Sequence, residues 1–140
     1  METNLKPGYF THRINTTFIT VPSFYLWYMP IPMSMYESFK KKVSQMGIII
    51  DWSIGMLESP RKFGFGWLGV PYQNQTSSSV TISKDFIAYK LVGDYKQMKD
   101  AYRKIMTDYP TILESYNLYL TDPNVTKMEN NITYILFTLK

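Results

Sequence analysis

The sequence predicts an α+β fold of duplicated β-α-β-β units with pseudo-twofold symmetry, in which an antiparallel concave sheet carries two helices on one face. Three observations predict it. The periodicity runs strand, helix, strand, strand, and then repeats that order. The two copies align in register: Met56-Leu57-Glu58-Ser59-Pro60 falls opposite Tyr119-Leu120-Thr121-Asp122-Pro123 at an offset of 63, while Phe39 and Val43 fall opposite Ala101 and Ile105 at an offset of 62. With 140 residues and 45% hydrophobic content, the chain supplies one substantial core. It is read as a single domain, 1–140, with repeat units at about 15–73 and 79–140.

In the first unit, Thr17 to Tyr28 is rich in β-branched and aromatic residues and reads as a strand that stops at Met29-Pro30-Ile31-Pro32. A helix follows, with Ser34 and Glu37 spaced as a capping box, a stripe of Met35, Phe39, Val43 and Met46, and Gly47 as the stop. Strands near Ile48–Leu57 and Phe63–Tyr72 complete the unit, and the polar stretch Gln73–Ser79 connects the halves. In the second unit Val80–Val92 reads as extended, and Gly93-Asp94 turns and caps. Tyr95, Met98, Tyr102, Ile105 and Tyr109 mark one face of a helix closed by Pro110. Strands near Leu113–Leu120 and Ile132–Lys140 end it. Neither half covers its sheet or closes its edges alone, so the halves are expected to pair with a groove between them.

Composition narrows the function. The absence of cysteine excludes disulfides, thiolate metal sites and a thiol nucleophile, and suits a reducing cytoplasm. No signal-type apolar segment opens the chain, and the apolar run Phe24–Met33 is interrupted by Pro30 and Pro32 and is too short to span a bilayer. Fifteen basic against eleven acidic residues give a net charge of +4. The clusters Lys40-Lys41-Lys42 and Arg103-Lys104 lie on helices without any nucleic-acid-binding motif and read as solvated faces. No direct nucleic-acid partner and no membrane partner are therefore expected. His12, the one histidine, has no evident acid partner, which argues against a Ser-His-Asp set, an imidazole metal cluster or a haem ligand, and no cofactor is expected. Phe63-Gly64-Phe65-Gly66-Trp67 lacks the helix that a phosphate-cradling loop needs. Twelve Tyr, eight Phe and three Trp exceed the needs of a core this size and leave aromatic area for binding.

Three segments of the second half, in order, carry a family resemblance: Phe86-Ile87-Ala88-Tyr89-Lys90-Leu91-Val92-Gly93-Asp94-Tyr95, Tyr119-Leu120-Thr121-Asp122-Pro123-Asn124-Val125-Thr126 and Glu129-Asn130-Asn131-Ile132-Thr133-Tyr134-Ile135. Together with Glu58-Ser59-Pro60 and Gly69-Val70-Pro71 in the first half, they make the chain resemble the bacterial GyrI-like family, the effector-binding domain of AraC- and MerR-type regulators, in stand-alone form. The resemblance implies an aromatic-lined cleft for bulky, flat, often cationic compounds, hence multidrug binding linked to transcription regulation. It also implies a buried glutamate two residues before the tyrosine matching Tyr119. Asn117 stands there instead and offers no charge, so weaker cation selectivity is expected. Glu58 is read as a solvated turn carboxylate and Glu114 as facing away.

The ligand-binding candidates are Asn117, Tyr119, Trp27, Trp52, Trp67, Tyr89 and Tyr134. Asn117 and Tyr119 share a strand face, Ile54 and Met56 the equivalent face, with Trp52 one pair further back. No catalytic set is assigned, because Asn117 cannot serve as a general base. The expected function is non-catalytic sensing or sequestering of a bulky aromatic or hydrophobic small molecule in the cytoplasm, with a regulatory protein partner supplying any DNA contact, since the leader before Thr17 has no room for a helix-turn-helix. The alternatives are a hydrolase of reactive small molecules on the same fold and a protein-binding role like that of gyrase inhibitors, which a charge of +4 disfavours.

Overall fold

Alternating β-branched and aromatic residues give long strands whose two faces are both apolar, so both must be covered. The computed structural model describes residues 5–26, 33–61, 63–74 and 76–140. Its elements are β1 (Tyr9–Leu26), α1 (Met33–Gln45), β2 (Met56–Ser59), β3 (Phe63–Pro71), β4 (Ser79–Val92), α2 (Met98–Asp108), β5 (Ile112–Tyr119) and β6 (Ile132–Leu139). All strand pairs are antiparallel and the sheet closes in the order β1-β3-β2-β5-β6-β4, with β1 paired to both β3 and β4. The antiparallel sheet expected as concave thus closes on itself, because β1 is longer than expected. It begins at Tyr9, and the residues read as a leader pair with β4 from Tyr9↔Tyr89 to Thr16↔Ile82. Closure removes the exposed edges that the isolated halves would carry.

Both helices pack on one face of this sheet. Tyr36, Phe39 and Val43 of α1 and Met98, Ala101, Tyr102 and Ile105 of α2 share a buried cluster with Tyr9, Ile19, Met56, Leu68, Ile87, Tyr119, Ile135 and Phe137. The opposite face holds a second cluster of Phe18, Leu57, Ile82, Phe86, Leu118 and Leu136. Adjacent residues such as Met56 and Leu57, or Leu118 and Tyr119, fall in different clusters, as strand alternation requires.

Three first-half expectations are corrected. The buried stripe of α1 is Tyr36, Phe39 and Val43, while Met35 and Met46 are exposed. Ser34 lies inside the helix, which already starts at Met33. Gly47, at φ 77°, does end it: its N–H reaches Ser44 O and the Ile48 N–H reaches Val43 O, the paired bonds of a left-handed C-terminal cap. Ile48 to Gly55 is loop rather than strand, because Asp51 accepts from the Ser53 N–H through its side chain and from Ile54 and Gly55 through its carbonyl, turning the chain just before β2. In the second half a 3-10 turn, Tyr95–Gln97, capped by Asp94, precedes α2.

A buried carboxylate ringed by tyrosines

β2 and β5 pair through Met56↔Tyr119, Leu57↔Leu118 and Glu58↔Asn117. Glu58 therefore stands beside Asn117 on the helix-facing side of the sheet, and both are 0% exposed. The Glu58 carboxylate accepts from Asn117 Nδ2 at 2.7 Å and Tyr119 Oη at 2.5 Å on Oε1, and from Tyr25 Oη at 2.9 Å on Oε2. Tyr102 of α2 donates its hydroxyl to Asn117 Oδ1 at 2.5 Å, which fixes the amide orientation. One carboxylate, one amide and three phenols thus form a closed network between α2 and the sheet.

Tyr25 reaches Glu58 from β1, across β3. The glycine at position 66 permits this: a Cβ there would sit 1.8 Å from the Ser59 carbonyl oxygen and 3.0 Å from the Tyr25 ring. Gly66 is thus a clearance for the Ser59 backbone and the Tyr25 ring, whereas Gly64, with open space around it, serves a backbone at φ 116°.

Among the described residues no lysine or arginine forms an ion pair with Glu58. Burial pushes its carboxyl above the usual range, and the bonds from Asn117, Tyr119 and Tyr25 offset this only in part. Burial, with the facing Glu58 charge, also raises the hydroxyls of Tyr25 and Tyr119, which remain donors at any physiological pH.

The sequence candidates are partly gathered here. Asn117 and Tyr119 belong to the network. Tyr89 lies in the same cross-strand row, Glu58↔Asn117↔Ile135↔Tyr89↔Tyr9, with its ring 5.4 Å from that of Tyr9. Trp67 and Tyr134 pack against the opposite cluster, Trp67 beside Tyr116 and Tyr134 beside Phe10 and His12. Trp52 is half-buried in the turn before β2 and packs against the helix-side cluster that holds Met56 and Tyr119, while Ile54 is exposed in that turn. Trp27 lies outside the described residues.

The sequence reading missed Glu58, Tyr25 and the polar role of Tyr102. Glu58 was placed in a solvated turn, whereas it lies within β2 and is fully buried. The signal that could have found it is the antiparallel register itself, which sets Glu58 opposite Asn117 once Met56 is set opposite Tyr119.

The chain is similar over 94% of its length, and over 97% of the other chain, to the solved structure of a Staphylococcus aureus MU50 protein with an inferred role in bacterial transcription regulation, at TM-score 0.56 and 15% identity. A likeness at that identity shows a shared fold alone. No family model matches the chain, and no curated protein matches it. Among the described residues no helix is long and apolar enough to cross a membrane.

Proposed function

We propose that this chain is a non-catalytic, effector-binding domain of the GyrI-like type that takes a bulky aromatic or hydrophobic compound, with Glu58 as the counter-charge for a cationic one. The observation that carries the reading is the fully buried Glu58 carboxylate, held by neutral donors and lacking an ion pair among the described residues. Burying an uncompensated carboxylate costs several kcal/mol, and replacing it by an apolar residue would remove that cost. A cation brought into the same low-dielectric setting would recover much of it. The charge that the family places two residues before the tyrosine is here supplied by the neighbouring strand, so the weaker cation selectivity inferred from Asn117 gives way to a cation-accepting site.

The regulatory context rests on the fold shared with a protein of inferred transcriptional role. Duplication of one unit belongs to the same reading, supported by the strand order, in which β1-β3-β2 from one half continues into β5-β6-β4 from the other. A hydrolytic reading is favoured by one observation, the raised proton affinity of Glu58. Against it, Glu58 is fully buried and both its oxygens already accept from tethered donors, with which an activated water would have to compete.

The test compares tetraphenylphosphonium with neutral triphenylphosphine oxide by calorimetric titration of wild type and Glu58→Gln. The cation is expected to bind wild type about tenfold or more tightly than the oxide, with affinity rising with pH as Glu58 loses its proton, and to lose that preference in Glu58→Gln. Equal affinities for the two probes in both proteins would overturn the reading.

A further inference from the structure

A cavity of about 480 Å³ opens at the end of the sheet where the β2–β3 connection meets the start of β5. Its lining includes Ser59, Arg61, Trp67, Tyr102, Glu114 and Tyr116. Trp67 and Tyr116 lie on the face opposite the Glu58 network, with ring centroids 5.9 Å apart and tilted by 47°. They give the cavity an aromatic wall, and its volume suits a one- or two-ring compound.

The charges of the lining are unequal. Among the described lining residues Glu114 is the one acid, and its Oε1 is held by Lys84 at 2.6 Å. Among the described lining residues Arg61 is the one base, and its Nη1 donates to Ser59 Oγ at 3.2 Å and to the Pro60 carbonyl at 3.5 Å, both neutral acceptors close in the chain. These bonds hold Nη1 at the rim, and among the described residues Nη2 and Nε donate no hydrogen bond and stay available to a ligand. A guanidinium presents paired donors matched to a carboxylate, and such charge-assisted bonds are about twice as strong as neutral ones.

We infer that this cavity binds a small aromatic monocarboxylate, its ring against Trp67 and Tyr116 and its carboxylate on Arg61. The site borders the Glu58 network and has the opposite charge preference. Tyr102 adjoins both, lining the cavity while its hydroxyl donates to Asn117.

The experiment titrates 2-naphthoate and its uncharged counterpart 2-naphthamide into wild type, Arg61→Gln and Glu58→Gln, read by tryptophan fluorescence and calorimetry. Arg61 is exposed, so its replacement leaves the fold intact, as an unchanged unfolding midpoint would verify. The acid is expected to bind wild type about tenfold more tightly than the amide. That preference should vanish in Arg61→Gln and persist in Glu58→Gln. Equal binding of acid and amide by wild type, or a preference that survives Arg61→Gln, would overturn the assignment. Loss of naphthoate binding in Glu58→Gln alone would place the ligand in the other site and overturn it as well. Failure of the phosphonium test leaves this outcome unaffected, because the two tests depend on different charged residues.

Discussion

Glu58 and Asp122 are both shielded from water, and the protein compensates them in opposite ways. Asp122, at 14% side-chain exposure, takes the Lys40 ammonium at 2.8 Å and the Tyr36 hydroxyl at 3.0 Å, both from α1, and the Asn124 N–H at 2.9 Å. Burial raises its carboxyl, but the Lys40, Asn124 and Tyr36 bonds outweigh this and hold it below its usual range. Glu58 receives three neutral donors and no cation among the described residues, and burial wins. On the proposed reading, the difference separates architecture from function. The Asp122 pair ties α1 to the connection after β5 and has a structural purpose that accounts for it. Glu58 has no such account, since apolar packing would serve the sheet better.

The largest effect expected from breaking this comparison is at Gly66. In Gly66→Ala the new methyl meets the Ser59 backbone, which cannot swing aside as a side-chain tip could. Either β2 and β3 separate or Tyr25 is driven off Glu58. A loss of about 3 kcal/mol is expected in urea unfolding, at the upper end for overpacked positions. A loss of the size seen at surface positions, below about 0.5 kcal/mol, would mean that the strands do not approach so closely and that Tyr25 is not threaded past β3.

Glu58→Gln comes next and tests the sign of its proton linkage. A carboxyl whose folded value is raised contributes stability that is fully present below its unfolded value, about 4.3, and lost as pH rises through the folded value. Wild type should therefore lose stability over that interval, and the glutamine variant should not. Gln can accept from Asn117 and Tyr119 through its oxygen while its amide donates to the Tyr25 oxygen, so at neutral pH the variant should match or exceed wild type, within about 1 kcal/mol. Thermal unfolding across the pH range measures both. A variant several kcal/mol weaker at neutral pH, with the wild-type pH profile, would make Glu58 a structural anchor of the Asp122 kind.

The order of strands and helices was legible because it is written in local periodicity, and the second half was read nearly to its boundaries: β4, β5 and β6 each begin and end within a residue of the expected place. The first half was less legible because its signals are tertiary. Tyr9 to Thr16 mixes polar residues into a strand that is stable through its partner β4, and Ile48 to Gly55 carries strand-forming residues that the Asp51 turn overrides. In the site, Asn117 and Tyr119 were reached through alternation along one strand. Glu58 lay beyond that reasoning because its burial depends on Tyr25 arriving across Gly66 and on α2 covering the row, neither of which leaves a mark in the spacing of β2 itself. Trp67 and Tyr134 were right as aromatics and wrong as partners of Asn117, since a strand gives each residue one of two faces and the choice follows register.

The smallest effect expected is at Lys40, and it is the converse of the Glu58 prediction. Lys40→Met keeps the aliphatic stem while removing the cation from Asp122. Tyr36 and the Asn124 N–H remain, so the carboxylate keeps two donors and the loss at neutral pH should be about 1 kcal/mol. Because the Asp122 carboxyl is depressed in the folded state, its contribution is present above its unfolded value and is lost as pH falls through the folded one. The variant should thus lose its deficit in acid, where wild type has also forfeited the pair, and added salt should narrow the gap at neutral pH. Unfolding midpoints at neutral and acid pH measure this. A deficit that persists unchanged in acid would mean that the Lys40 ammonium acts through its place over the Tyr36 ring, 5.6 Å from the centroid, and that α1 is held there by that contact and not by the Asp122 charge.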